Sequence, residues 1–430
     1  MRVERLDIYR LITATSAKAL SALGVISLQF LIAKINGEIA VGHFSSILSL
    51  LFFIGIISRW GGAELIFKDA RMIENEKGTK NRNTFIFRIM LHTLGRALFL
   101  TFVTVVINFF ILPIFGLNSL VAREYYFLLF VAPLFALASL NANYYYLLNK
   151  NFVAGFSEPG GIALVSSLFI IIGMLIGVVD SGSSLILWVY ALVIVAITVL
   201  PITVLASTTR KKVSDFSHSL GNTQFLQISL FVYFGQWGVI AVLSAIESPA
   251  IVGIFAVCLQ ISVCLDFFMR IAGSLYAHRI RLAYKTMSIE NFASQIEIIS
   301  RVIALASAVA FVVLWNCAEL IFDAFRFSDD RFYYIFFVLI TARFVNNLFG
   351  LTDIFLIMTN YQREYKWIII SSSVIALSGA CLASVLPIEV VATMVALTIV
   401  LRNVLSSIVV YRGSGLIMIP FYVRAVKQYN

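Results

Sequence analysis

Charge is scarce in this chain: Asp, Glu, Lys and Arg together make up 13% of its 430 residues, where a soluble domain carries about 25%. Polar runs are short as well, none exceeding about 20 residues, which leaves no room for a soluble domain between the apolar stretches. Cysteine is limited to four residues. Cys258, Cys264, Cys317 and Cys381 lie within or at the end of apolar runs, without metal-ligand spacing or an extracellular partner, so packing is their simplest role. No G-x-x-x-x-G-K-[ST] loop is present, so nucleotide hydrolysis by this chain is not expected. No clustered His and Cys set suggests a metal, and no cofactor is expected. Any work must draw on an ion gradient, the membrane potential or a substrate gradient.

What is plentiful is apolar length. Hydrophobic residues make up 60% of the chain and the mean hydropathy is +0.96. About 20 apolar residues cross a bilayer core as a helix. Apolar windows bounded by breakers and charge clusters predict twelve spans, at 10–33, 41–68, 88–112, 124–148, 159–179, 185–206, 225–245, 250–277, 297–322, 332–358, 367–387 and 389–411. The fold class expected is an all-α polytopic membrane protein. Arg2, Arg5 and Arg10 precede the first run, which lacks a small-residue cleavage signal and is expected to stay as the first span. Counted alternately, the connections place 20 Lys and Arg on one side and 4 on the other. The positive-inside rule puts the basic side and both termini in the cytoplasm, and it accounts for the net charge of +10 without a nucleic-acid partner. On the opposite side the connections 180–184, 246–249 and 387–389 are too short to hold a catalytic domain, so no enzyme activity is expected.

The chain reads as a duplication. At a constant offset of 211, residues 36–68 align without a gap on 247–279, pairing Val41, Gly42 and Phe44 with Val252, Gly253 and Phe255. The same frame pairs Leu48 with Leu259, Arg59 with Arg270 and Gly62 with Gly273, and extended backwards it pairs Gly24 with Gly235. Six spans per half leave both copies in the same orientation. This predicts two six-helix bundles, 1–206 and 225–411, joined by a polar cytoplasmic linker at 207–224 and followed by a cytoplasmic tail at 412–430. Their axis would run along the membrane normal, with the site at the interface.

Six cations lie within the spans: Lys18, Arg59, Arg96, Arg270, Arg343 and Arg402. Each costs about 3 kcal/mol at the centre of a lipid-facing helix. Snorkelling to the headgroups explains any one of them, whereas a water-filled cavity relieves the cost of all. At 1.5 Å per residue, Lys18 sits ~12 Å, and Arg59 and Arg270 ~14 Å, from the basic ends of their spans. The acids are Glu64, Asp266 and Asp353, with Glu319 near an outer end. Asp266 and Arg270 stand at i, i+4 and are positioned to pair, as are Glu64 and Lys68 nearer the interface. In the tenth span Arg343, Asn346, Gly350 and Asp353 fall within about 80° of a continuous helical wheel, one polar stripe facing something wet. Arg88, His92 and Arg96 read as an interfacial anchor. The run Asn141-Ala-Asn-Tyr-Tyr-Tyr-Leu-Leu-Asn149 reads first as an aromatic belt at headgroup depth and second as a sugar-stacking surface.

The stretch NGEIAVGHFSSILSLLFFIGIISRWGGAELIFK, with its echo ESPAIVGIFAVCLQISVCLDFFMRIAGSLYAHR, resembles the bacterial polysaccharide exporters and O-antigen flippases (Wzx type) of the multidrug/oligosaccharidyl-lipid/polysaccharide exporter superfamily. The resemblance covers nearly the whole chain. It implies a MATE-like fold in the bacterial inner membrane that flips an undecaprenyl-diphosphate-linked oligosaccharide by alternating access, serving polysaccharide or lipopolysaccharide biosynthesis beside glycan polymerase and chain-length enzymes. It also implies a cationic cavity lined by spans 1, 2, 7 and 8. Lys18, Arg59, Arg270 and Arg343 are the expected substrate-binding residues, with Asp266, Asp353 and Glu64 as candidates for ion coupling. The seventh span offers only Gln227, Tyr233 and Gln236. A diphosphate suits point-charge Lys and forked Arg side chains. A cation or drug antiporter of the same fold is the alternative and should show an acidic cavity. A membrane glycan polymerase or ligase would need a larger outer loop.

Overall fold

The computed structural model describes residues 5–111, 114, 123–148, 150–180, 182–207, 223–269, 272, 284, 289–359, 361–419 and 422–425. Hydrocarbon offers no water to a polar backbone, so crossing segments satisfy their N–H and C=O groups internally as helices. The first half runs α1 (Arg5–Asn36), α2 (Glu38–Arg59), α3 (Gly62–Lys68), α4 (Ala70–Lys77), α5 (Thr79–Val106), α6 (Tyr126–Phe130), α7 (Ala132–Leu147), α8 (Asn151–Ser157), α9 (Pro159–Leu175) and α10 (Leu185–Ser207). The second runs α11 (Thr223–Phe234), α12 (Trp237–Ile246), α13 (Pro249–Val263), α14 (Ile289–Asn316), α15 (Ala318–Phe325), α16 (Arg331–Leu348), α17 (Thr352–Met358), α18 (Gln362–Cys381) and α19 (Ile388–Ser414). Two strands close it, β1 (Leu416–Ile419) and β2 (Tyr422–Ala425).

Each of the twelve predicted ranges holds helix. Among the described residues eight helices are individually long and apolar enough to cross a membrane, or eleven when three bent pairs each count as one span. The range 124–148 holds the 5 residues of α6 and the 16 of α7. The protein is thus a multi-pass membrane protein of largely helical build.

Several predicted spans are interrupted, among them the second, the seventh and the tenth. The second stops at Arg59, because Trp60 (φ 46°) and Gly61 (φ 72°) turn left-handed before α3 begins. The seventh bends by 47° between α11 and α12, and the tenth by 55° between α16 and α17. The tenth breaks at Gly350, whose φ of 65° suits a residue without a side chain. A Cβ at Gly350 would also strike the Ser300 hydroxyl of α14. The predicted polar stripe of the tenth span is therefore not continuous: Asp353 lies beyond the bend from Arg343 and Asn346.

Contacts divide the chain into two compact units. One runs through Tyr233 and adds Leu243–Gly253; the other comprises Phe234–Val242 and the chain from Ile254 onward. In the first unit α1 packs along α9. Their backbones nearly touch where a Cβ on Gly24 would collide with the Gly160 carbonyl, the close approach that small residues permit between helices in lipid. Also in this unit, Gly42 of α2 lies against the Pro249 carbonyl and beside Gly253, its partner under the 211-residue offset. After the turn at Trp60, α3 and α4 bury Ile66, Ala70 and Ile73 against Phe85, Ile86 and Ile89 of α5 and Leu140 and Leu147 of α7. An Arg82–Glu74 pair at 2.6 Å closes that corner. The C-terminal end of α2, and Arg59 with it, is thereby held in place.

In the second unit α16 packs on α14 and α19, and α19 packs on α18. In the range expected as a cytoplasmic tail, 412–430, α19 runs on to Ser414 and two antiparallel strands pair Leu416 with Ala425 through Ile419 with Tyr422. Leu416 and Met418 are buried and Ile417 is less so, the period of two that one covered strand face requires. β2 rests on α14 and β1 on α19.

Gly350→Ala should lower stability by about 1–2 kcal/mol, the cost of a left-handed L-residue, read as a lower melting temperature in detergent. An unchanged transition would show that the bend is not held at this residue.

Candidate functional site

Within the first unit, a cleft of about 240 Å³ lies at the Arg59 end of α2. Its walls include Phe52 and Arg59 from α2, Phe135, Ser139 and Asn143 from α7, and Glu158, the residue before α9. Both charges sit where the helix dipole favours them, Arg59 at a C-terminus and Glu158 at an N-terminus. The half-buried Arg59 donates from Nε to the Gly55 carbonyl at 2.8 Å, which directs its guanidinium along the last turn. Tyr146 donates to Glu158 Oε1 at 2.9 Å, and Asn143 donates from Nδ2 to the Ser139 carbonyl at 2.9 Å. Phe52 and Phe135 meet edge to face, with ring centroids 5.4 Å apart.

The second unit carries a buried polar assembly of a different kind. Asp266, in the 3-10 turn after α13, accepts from Arg343 of α16 at 2.6 Å. Arg343 is 1% exposed and Asp266 8%. One turn along α16, Asn347 donates to the Leu265 carbonyl at 2.7 Å and to Ser307 of α14 at 3.1 Å. Asn346 donates to Asn347 and accepts from Asn403 of α19, whose own amide oxygen accepts from Thr352 at 2.9 Å. Beyond the bend, Asp353 pairs with Arg402 at 3.1 Å and accepts from Ser406 at 3.1 Å, with the buried Tyr365 hydroxyl bonded to it as well. A chain of three asparagines and a threonine thus runs between the two ion pairs, ending at the Leu265 carbonyl and at Thr352, the residues that precede Asp266 and Asp353.

The residues singled out in the sequence divide accordingly. Arg59 lines the cleft. Arg343, Asp266 and Asp353 belong to the polar assembly, where Asp266 is partnered by Arg343, 77 residues away. Arg270 lies outside the described residues. Lys18 and Glu64 fall within α1 and α3, with their side chains outside the described ones. Arg96, read as part of an interfacial anchor, has its guanidinium 5.5 Å from the Trp60 ring centroid. Arg402, counted only as an unassigned cation, proves to be the partner of Asp353. Sequence reading missed Glu158, Ser139, Phe52 and Phe135. Asn143 and Tyr146 fall in the Asn-Tyr run already noted, which was the one available signal for that wall.

Comparison with solved structures finds a multidrug resistance MATE family transporter of the MOP superfamily, inward-facing, at a TM-score of 0.66 and 14% identity over 92% of this chain and 96% of that one. The MATE multidrug transporter DinF-BH gives 0.60 at 15% identity, with 96% of each chain covered. A MOP superfamily transporter from Pyrococcus furiosus Vc1, for which a binding pocket of reverse polarity suggests a different function, gives 0.50 at 14% identity with 93% of each covered. No protein-family model matches the chain and no curated protein matches it in sequence. The fold is that of the MATE transporters. The chain is a MATE-like polytopic membrane protein.

Breaking one side of the Asp266–Arg343 pair strands a charge in the interior, at a cost of roughly 3–5 kcal/mol. Arg343→Met should therefore melt well below the parent, and Asp266→Leu combined with Arg343→Met should recover most of the loss. A double variant as unstable as the single one would mean that the pair is not what the interior requires.

Proposed function

We propose that this protein is a flippase that moves an undecaprenyl-diphosphate-linked oligosaccharide from the cytoplasmic to the periplasmic leaflet of the bacterial inner membrane, ahead of the glycan polymerase and chain-length enzymes. The observation that carries the reading is the sorting of charge. Among the described residues the intraspan carboxylates Asp266 and Asp353 are each bound to an arginine, so neither is offered to a cationic drug, and Arg59 is one of the residues that line the cleft. A guanidinium at that position suits a phosphate oxygen. Lys18 and Arg270, at a similar depth in the sequence, are assigned the same anion. The Pyrococcus furiosus transporter, in which reverse polarity of the binding pocket suggests a different function, is a precedent for this fold with another use. A second reading, export of a cationic drug, draws its support from Glu158 in the same cleft.

A strain lacking its own flippase separates the two. Arg59→Ala should abolish glycan export at unchanged protein level, and Arg59→Lys should restore part of it. Full export by Arg59→Ala, or drug resistance lost only in Glu158→Gln, favours the antiporter.

Coupling is assigned to Asp266 and Asp353. Among the described residues Asp266 Oδ1 is buried and accepts no hydrogen bond, so one oxygen of this carboxylate is not committed to Arg343. Flux in vesicles with an imposed pH gradient should respond to the gradient in the parent and lose that response in Asp266→Asn or Asp353→Asn. Parent flux that ignores the gradient rules out proton coupling at both.

A further inference from the structure

We infer that the exposed face of α5 carries a site for one anionic phospholipid, taken from the leaflet that meets the start of that helix. The site stands apart from the Arg59 cleft and does not depend on the cargo assigned above. Arg88, His92 and Arg96 follow one another at steps of four, which spreads them over only about 80° of the helix at 100° per residue. His92 is exposed and the two arginines are half-buried. Among the described residues no carboxylate pairs with any of the three. An uncompensated row of cations at a membrane surface is the complement of a net-negative headgroup. Its phosphate accepts charge-assisted hydrogen bonds from guanidinium forks and from an imidazole N–H.

The same face suits the rest of a lipid. Leu91, Leu98, Phe99 and Phe102 are each more than half exposed, on a helix long and apolar enough to cross a membrane. Gly95 stands among them, and a Cβ there would meet nothing within 4 Å, so an acyl chain can lie directly against the helix. Arg96 is ~12 Å along the axis from Arg88, deeper than an anchor at the headgroups needs. Its guanidinium is 5.5 Å from the centroid of the partly exposed Trp60 ring, a cation–π contact that holds the charge at this depth. A second copy of the chain is a poor occupant, because two-fold pairing through this face sets like charges against one another.

Native mass spectrometry of the purified full-length protein in detergent tests this, with dioleoyl phosphatidylglycerol and dioleoyl phosphatidylcholine as probes. The parent should retain its first phosphatidylglycerol about tenfold more tightly than phosphatidylcholine, and Arg88→Ala and Arg96→Ala should each lower that preference about fivefold. Arg96→Lys should keep most of it. Arg301→Ala, at an exposed arginine of α14, should leave it unchanged. Gly95→Leu fills the gap without altering charge, so it should weaken retention of both lipids, and it carries the test should an arginine variant fail to fold. Equal retention of the two lipids by the parent, or a preference intact in the Arg88→Ala/Arg96→Ala double variant, overturns the site. So does a preference lost equally in Arg301→Ala, or retention untouched by Gly95→Leu. Loss of a dimer instead of lipid in the double variant assigns the face to a second copy and overturns the lipid site as well.

Discussion

A guanidinium in an apolar interior is tolerable only with a carboxylate and further hydrogen bonds within reach, and the second unit is organised around that constraint. Arg343, almost wholly buried, is met by Asp266. Arg402 is met by Asp353. Because the partners come from different helices, the pairs also fix how those helices meet. Asp266 belongs to the turn after α13, Arg343 to α16, Asp353 to α17 and Arg402 to α19. The bend at Gly350 allows this arrangement: a straight tenth span would carry Arg343 and Asp353 on one stripe, whereas the bent one offers them to separate partners.

The first unit obeys the opposite logic. Its helices meet through small residues, with Gly24 against Gly160 and Gly42 against Pro249, where close packing replaces electrostatics. Arg59 and Glu158 stand at helix ends around a cleft. The turn at Trp60 and Gly61 ends α2 at Arg59, and the covered faces of α3 and α4 anchor that end. A helix continuing to residue 68 would have placed Arg59 in mid-helix, among neighbours of its own turn.

The helices were legible because hydrocarbon demands long apolar runs, and each of the twelve predicted ranges holds one. Their interruptions were not. A break such as Phe349-Gly350-Leu351 depends on one backbone angle and on Ser300 across the interface, neither of which leaves a composition signal. Charge pairing was legible only within a helix: the i+4 rule offered Arg270 to Asp266, while Arg343 lies 77 residues on and no local rule reaches it. Glu158 escaped notice because it sits at a helix start, where a carboxylate has a sufficient local explanation. The hairpin escaped for a similar reason, since the four residues Leu416-Ile-Met-Ile419 are too few to stand out beside 27-residue helices.

The ion pairs of the second unit bear on the electrical behaviour of the molecule. Two arginines and two aspartates sum to zero, and the asparagine chain runs between the pairs. Carrying an elementary charge through a membrane potential involves about 2.3 kcal/mol per 100 mV. A neutral assembly carries none, so this polar interior can shift along the membrane normal without the voltage helping or opposing it. A net charge on any one of the four side chains left without its counterpart would bring the assembly under the voltage.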